Sequence, residues 1–417
     1  MSKASYDCII IGGGASGLFS ASMLTKLTSG RAKILVIDGN DRCGKKLALT
    51  GSGRCNLSNK NASVDKYHTD DPKLLGEILK AFTSTDAVEF FENELGIVTV
   101  CDNGLYYPAT YRSQTVIDSF RFYLEDHGVV TKFGSRCTKV AENKGVYDVT
   151  LKDGSMYSAN NLIFAAGGST YPSTGSDGTA LQILKDLVAP KDIVSFKPAL
   201  TSLNSRMQGI KALAGIRCKG RVELFDGSKV VDSSEGEIIF SKEGGISGIC
   251  VMDISGAAVR LIDKGVKPVV YLDISGKTEE ETIEMLKTRR QKFGKRPVTS
   301  ALSGMMPRVL CEFICRIAGI EPAKFFGGLS DKEISAFAKT LCALKIPVDG
   351  FGGNDKAQVS SGGIRLSSLR FNCQLNTREN LYVIGEAVNV DGRCGGYNLQ
   401  WAWSSAAAAA KGVASDV

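Results

Sequence analysis

Histidine is nearly missing from this chain: His68 and His127 are the only two among 417 residues. Both lie in polar stretches, so a metal centre built on imidazoles is excluded. No apolar run reaches the roughly twenty residues that a membrane-spanning helix needs. No secretory leader precedes the first strand-like segment, which gives the expectation of a cytoplasmic protein without a membrane partner. Twelve cysteines are present but none forms a C-x-x-C, which argues against a zinc ribbon or a thioredoxin-like dithiol. Scattered through a chain of this size, they read as reduced thiols, many of them core fillers such as Cys8. Cys311 and Cys315, one helical turn apart, read as a buried helix face. Charge is close to balanced, at +7. Its one concentration is Lys287, Arg289, Arg290, Lys292, Lys295 and Arg296, six cations within ten residues. Such a run is either a solvated helix end or a phosphate-tracking patch for nucleic acid, and the aromatic inside it, Phe293, suits the second reading.

What is present starts at the N-terminus. Tyr6-Asp7-Cys8-Ile9-Ile10-Ile11 reads as a buried strand, and it runs into Gly12-Gly13-Gly14-Ala15-Ser16-Gly17. A helical stretch from Leu18 to Leu27 follows, and then a second apolar run, Ile34 to Ile37, that ends in Asp38. Strand, G-x-G-x-x-G, helix, strand and acid in that order form the dinucleotide-binding fingerprint. Gly12 permits the tight turn, Gly14 admits a pyrophosphate to the backbone, and Gly17 brings helix and strand together. The unpaired N–H groups and positive dipole at the helix start hold phosphate charge. Asp38 is placed to accept from ribose hydroxyls and disfavours a 2′-phosphate, which points to an FAD or NAD half and away from NADP.

Residues 42–59 combine cations, amides and small residues without periodicity, as a loop wrapped around a ligand does. Helical stretches are expected from Pro72 to about Leu95 and from about Thr115 to Asp126. Strand-like runs follow: Val129 to Val140, Tyr147 to Leu151, Met156 to Ser158, and Asn161 to Ala166 leading into Gly167-Gly168. From about Ile193 to Ile274 the pattern is short alternating strands with glycine turns, read as a small inserted antiparallel sheet or barrel. Lys277 to about Leu344 is mostly helical. Leu381 to Ile384 is a buried strand ending in Gly385-Glu386, and Asp391 to Asn398 opens a helix from Leu399 to about Gly412. The C-terminus thus returns to the first domain. The division expected is 1–190 with 350–417 as the nucleotide domain, 191–275 as a β domain and 276–349 as a helical module. No second G-x-G-x-x-G follows a strand, so no separate nicotinamide domain is evident.

Four segments together carry a resemblance: Gly12 to Gly17, Lys46 to Asn56 with its Gly-Arg-Cys-Asn, Gly167 to Gly178, and Gly395-Gly-Tyr-Asn-Leu-Gln-Trp-Ala-Trp403. The chain resembles the YhiN/BaiN-type family of FAD-dependent oxidoreductases, which includes an aminoacetone oxidase. The resemblance implies an α/β fold with a Rossmann-like, glutathione-reductase-like FAD domain, an inserted β-barrel-like domain and a small helical module. It implies non-covalent FAD held by Gly12, Gly14, Ala15, Ser16, Gly17, Asp38, Lys46, Ser52, Gly53, Arg54, Cys55, Asn56, Val140, Ala166, Gly167, Gly168, Gly385, Glu386, Gly395, Gly396, Tyr397, Asn398 and Leu399. Cys55 and Arg54 are the catalytic candidates, the thiol as an acid opposite the hydride and the guanidinium as a holder of an anionic substrate. Cys394 is a second candidate acid, and packing is the competing role for Cys55. Asn389 stands where the family has aspartate, which would remove a charge near the cofactor. Three activities remain open: a small-molecule reductase fed by NADH or NADPH, a reductase of uridine in ribosomal RNA, and an amine oxidase producing peroxide. A structural flavoprotein without turnover is the fourth alternative.

Overall fold

The computed structural model describes residues 4–417. Within them the chain divides into two units, one taking the chain up to Pro198 together with Gln358–Val417, the other Ala199–Ala357.

The first unit is built on a seven-stranded sheet. Its first strand, Ala4–Ile11, pairs in parallel with Ile34–Ile37 on one side and Met156–Phe164 on the other. Parallel sheets are packed on both faces, and Cys8, Ile9, Ile10 and Ile11 are all buried here, which is why they read as a continuous apolar run. Val130–Lys132 extends the sheet beyond Ile34–Ile37. The long strand Met156–Phe164 divides its far edge between two partners. Its first half is antiparallel to Val146–Leu151, and its second half is parallel to Leu381–Val383. A segment from late in the chain therefore enters the sheet one strand away from its start.

Helix Ala15–Leu27 packs on the C-terminal helix Tyr397–Ala414. Ala406, Ala407, Ala409 and Ala410 are fully buried, and their small side chains allow the two helix backbones a close approach. Phe19 anchors the far side: its ring lies 4.7–6.3 Å from those of Phe82, Phe90, Phe91, Phe120 and Trp403. Such aromatic clusters bury large areas and fix orientation through edge-to-face contacts. No helix among the described residues is long and apolar enough to cross a membrane.

The second unit holds a seven-stranded antiparallel sheet whose centre is the hairpin Arg217–Phe225 with Val230–Phe240. One apolar core joins this sheet to the helices Glu279–Phe293, Arg308–Ile317 and Asp331–Cys342. Strands and helices that the sequence suggests as separate modules thus share their buried residues.

Several element expectations are corrected. The stretch from Pro72 to Leu95 is two helices, Pro72–Ala81 and Ser84–Asn93, broken where Thr83 forms a capping box with Asp86. Val129 to Val140 is two strands, Val130–Lys132 and Cys137–Asn143. The run from Ile193 to Ile274 conceals a helix, Ile249–Asp263, apolar enough to pass for strand. The C-terminal helix begins at Tyr397, earlier than Leu399.

Candidate functional site

A cleft of about 420 Å³ opens at the carboxyl ends of the parallel strands, where Ile11, Ile37 and Ala165 reach its wall. That is where open α/β sheets take their ligands. Both ends of the chain build it: Gly12 to Ser16 from the glycine loop, and Asn398, Leu399, Trp401 and Ala402 from the last helix.

The glycines have distinct geometric duties. Gly12 has φ +113° and a Cβ there would lie 2.2 Å from the Ala165 carbonyl oxygen. At Gly17 a Cβ would lie 1.8 Å from the Gly12 carbonyl oxygen, so helix and turn touch only because no side chain intervenes. Gly14 differs: a Cβ there would meet nothing within 4 Å. It also stands at the N-cap of helix Ala15–Leu27, which no side chain caps. The first turn therefore presents N–H groups without intrahelical partners beside open space.

Asp38 accepts from the Gly13 N–H at 2.7 Å, and from the backbone and side-chain nitrogens of Asn40 at 2.7 and 2.8 Å. The acid thus holds the glycine turn in shape as well as lining the cleft. Asn40 also donates to the Thr174 carbonyl at 2.9 Å, drawing the 172–177 segment over the cleft. Arg136 makes a fork onto Asp177, both contacts 2.8 Å, and donates to Thr179. That guanidinium holds the Asp177 carboxyl well below the usual carboxylate range, against the smaller opposing effect of burial. Beside it the Ser176 hydroxyl is buried with no hydrogen-bond partner, although Ser176 lines the cleft.

Lys46 crosses from the loop after the second strand to the C-terminal segment. Its Nζ lies 2.6 and 2.9 Å from the two Glu386 carboxylate oxygens and 2.7 Å from Thr170 Oγ1. Glu386 also accepts from the Ser360 N–H at 2.7 Å.

Of the residues expected to touch a cofactor, Gly12, Gly14, Ala15, Ser16, Asp38, Lys46, Ala166, Gly167, Glu386, Asn398 and Leu399 line this cleft. The others stand behind or beside it. Gly168 packs against Ser360 and Glu386, and Gly385 against the Ser16 side chain. Gly385 also accepts at its carbonyl from Trp401 Nε1 over 3.0 Å. Val140 faces the core, and the strand Cys137–Asn143 meets the cleft through Cys137. Gly395 accepts from Asn59 Nδ2 at 2.8 Å. Asn56, with its amide turned to satisfy both ends, accepts from the Gly396 N–H at 3.1 Å and donates to Ser58 and Tyr106. Tyr397 is buried at the start of the last helix, where its backbone carbonyl accepts from Tyr67. The side chain of Asn398 bridges both backbone groups of Gly392 at 2.8 Å.

The loop carrying the catalytic candidates turns through left-handed backbone at Gly51, Ser52, Gly53 and Cys55, with φ of +56°, +57°, +82° and +57°. Thr50 reaches the cleft wall. Cys55 does not: it is fully buried, and burial pushes its thiol up to about 12. Arg54 is exposed and stacks over Tyr107 at 5.4 Å. Cleft residues that sequence reasoning missed include Asn40, Arg136, Cys137 and Trp401. Ser176 and Asp177, also missed as contacts, fall inside the quoted Gly167–Gly178 segment.

In the other unit the basic run is partly committed. Lys287 pairs with Glu284, Arg289 donates to the Ala301 carbonyl, and Arg290 binds the Leu329 carbonyl and Asp331. Arg289 and Arg296 stack on Phe293, while Lys292, Lys295 and Arg296 are exposed.

Comparison with known proteins decides the family. The model for the HI0933-like protein Rossmann domain matches residues 6–412. The chain belongs to the HI0933-like family. It is an FAD-dependent oxidoreductase of that family. It is 29% identical over 410 residues to the 3-dehydro-bile acid delta(4,6)-reductase of Clostridium scindens, covering 97% of this chain and 98% of that protein. It is 26% identical over 423 residues to the ribosomal RNA dihydrouridine synthase of Escherichia coli, covering 97% of each. Among solved structures, 3-ketosteroid delta1-dehydrogenase from Sterolibacterium denitrificans shares the fold at a TM-score of 0.52, with 12% identity over the whole of both chains. The cleft fits a dinucleotide of this kind. It has an uncapped helix start beside an open Gly14, and an orphaned Ser176 hydroxyl that lacks an acceptor or donor.

Proposed function

We propose that this HI0933-like protein saturates a conjugated carbon–carbon double bond of a small organic substrate, with NADH or NADPH as reductant, in the cytoplasm. FAD, when bound, supplies the hydride chemistry. The observation that carries the reading is the cleft itself, lined by an uncapped helix start, Asp38 and Ser176. The names of the two relatives support the bond type, since both describe reduction of an unsaturated ring.

Each part of this chain has a task in that reading. The first turn after Gly14 holds pyrophosphate charge, and Asp38 and Ser176 offer hydrogen-bonding groups to the adenosine end. The start of the last helix, at Asn398 and Leu399, stabilises negative charge that develops beside it, because no side chain caps the first turn. Leu399, Trp401 and Ala402 exclude water. A proton must also be delivered to the substrate carbon opposite the hydride. The Cys55 thiol stays protonated across the physiological range, but its full burial away from the cleft favours the packing role.

The test is anaerobic mixing of the flavin-loaded protein with NADH or NADPH, followed by a screen of acceptors. Bleaching by a nicotinamide cofactor and reoxidation by a conjugated enone support the proposal. Bleaching by amines alone, with oxygen consumed and peroxide formed on aeration, would replace it with the oxidase reading.

A second reading, reduction of uridine in ribosomal RNA, is favoured by the exposed Lys292, Lys295 and Arg296 and by the name of the Escherichia coli relative. RNA binding that weakens steeply with salt, and is lost on neutralising those three cations, is its test.

A further inference from the structure

Six formally charged side chains line the cleft: Asp38, Lys45, Lys46, Arg136, Asp177 and Glu386. Three are cations and three are anions, so the wall is formally neutral. Each has a partner within the protein. Asp38 is held by N–H donors, Lys45 lies 2.7 Å from Asp41, and Arg136 forks onto Asp177. A dinucleotide with a charged pyrophosphate therefore meets no net side-chain charge, and its binding leans on the helix start. The balance has a weak point. Asp41 is 77% exposed and Arg136 41%, so water screens those pairs, whereas Lys46 and Glu386 are each only 21% exposed. A charge uncovered there is screened least.

We infer that Lys46 and Glu386 are paired positioning residues that set the electrostatic potential of the cleft with opposite signs, and with it the affinity and reduction potential of the flavin. The inference rests on the cleft being the FAD site. Removing the ammonium leaves the Glu386 carboxylate, held by Thr170 and the Ser360 N–H, facing an anionic cofactor. Removing the carboxylate leaves the ammonium facing it. Reduction adds negative charge to the flavin, so the two changes act in opposite directions.

The experiment compares Lys46→Met, Glu386→Gln, the double variant and Lys46→Arg with the unaltered protein. The readings are the FAD dissociation constant and the flavin midpoint potential. Lys46→Met is expected to weaken FAD about tenfold and lower the potential. Glu386→Gln should raise the potential and leave affinity within about threefold, and the double variant should return near the starting potential. Lys46→Arg should stay close to the unaltered protein. Shifts of the same sign, a double variant displaced from the starting potential as far as either single variant, or lost affinity with an unmoved potential would overturn the inference in favour of a structural tie. Should Lys46→Met not fold, Glu386→Gln decides alone: a raised potential supports the inference, and an unchanged or lowered one overturns it. Failure of the unaltered protein to bind FAD would instead sink the cofactor assignment, so the two failures are distinguishable.

Discussion

Asn389 donates its side-chain amide to Asp70 across 3.0 Å while its carbonyl accepts from the Gly362 N–H at 3.1 Å. This residue does not line the cleft, so the aspartate expected there from the family pattern would act on Asp70 before it acted on a cofactor. Burial alone would raise the Asp70 carboxyl, but bonds from Ser367, Asn389 and the Leu366 backbone outweigh it and hold the group below its ordinary value. The stability Asp70 contributes is therefore present above the ordinary carboxylate range and is lost as pH falls through its lowered folded value. Replacing Asn389 by Asp sets two carboxylates together. Thermal unfolding is expected to show a loss of about 2–3 kcal/mol at pH 7.5. The loss should shrink at pH 5, where one carboxyl of the pair takes up a proton. Equal losses at both pH values would contradict this account.

Two neighbouring glycines separate folding from binding. Gly17→Ala forces a Cβ into the Gly12 carbonyl and should cost about 3 kcal/mol or more, read as a fall in apoprotein melting temperature. Gly14→Ala meets open space and should leave the apoprotein within about 1 kcal/mol while weakening FAD roughly tenfold, because the methyl occupies cofactor space. Titration of FAD into both apoproteins distinguishes the two effects.

Thiol chemistry reports on Cys55. In the native protein at pH 8, a small thiol reagent should modify the exposed Cys101 and leave Cys55, which is fully buried and pushed up to about 12, untouched until denaturant is added. Rapid native modification of Cys55, located by peptide mapping, would return it to the catalytic candidates.

The fork between Arg136 and Asp177 holds the 172–177 segment over the cleft. Arg136→Met should speed FAD release about tenfold, measured by recovery of free-flavin fluorescence. Asp177 is depressed far below the ordinary carboxylate value of about 3.9, so the fork's contribution is complete at neutral pH. It should persist unchanged down to pH 5 and fade only in strong acid. A release rate that climbs between pH 7 and pH 5 in the unaltered protein but not in the variant would be inconsistent with it.

Much of this was readable from residues whose local geometry has few solutions. Gly12 and Gly17 announce themselves because no other residue fits, and the alternation from strand to glycine turn to helix is local in sequence. The break at Phe82 was missed, although Thr83 and Asp86 have capping-box spacing. The helix Ile249–Asp263 was missed too, because its apolar and β-branched residues lie among the short strands and glycine turns on either side. Arg136 with Asp177, Lys46 with Glu386 and Asn389 with Asp70 stand 41, 340 and 319 residues apart, and no periodicity links such pairs. Cys137 meets the cleft where Val140 was expected, and the strand Cys137–Asn143 shifts register against Val146–Leu151 between Cys137 and Lys139, an irregularity that the alternation of residues does not reveal.

The indole nitrogen of Trp401 is bonded to Gly385, and that of Trp403 to Leu57, across 346 positions in the latter case. Leu57 leaves the ribosome early and Trp403 very late. During synthesis, then, the first glycine turn emerges long before the wall that completes the cleft. With flavin held in this cleft, as proposed, the site is incomplete until the last helix has been made, and flavin loading follows translation.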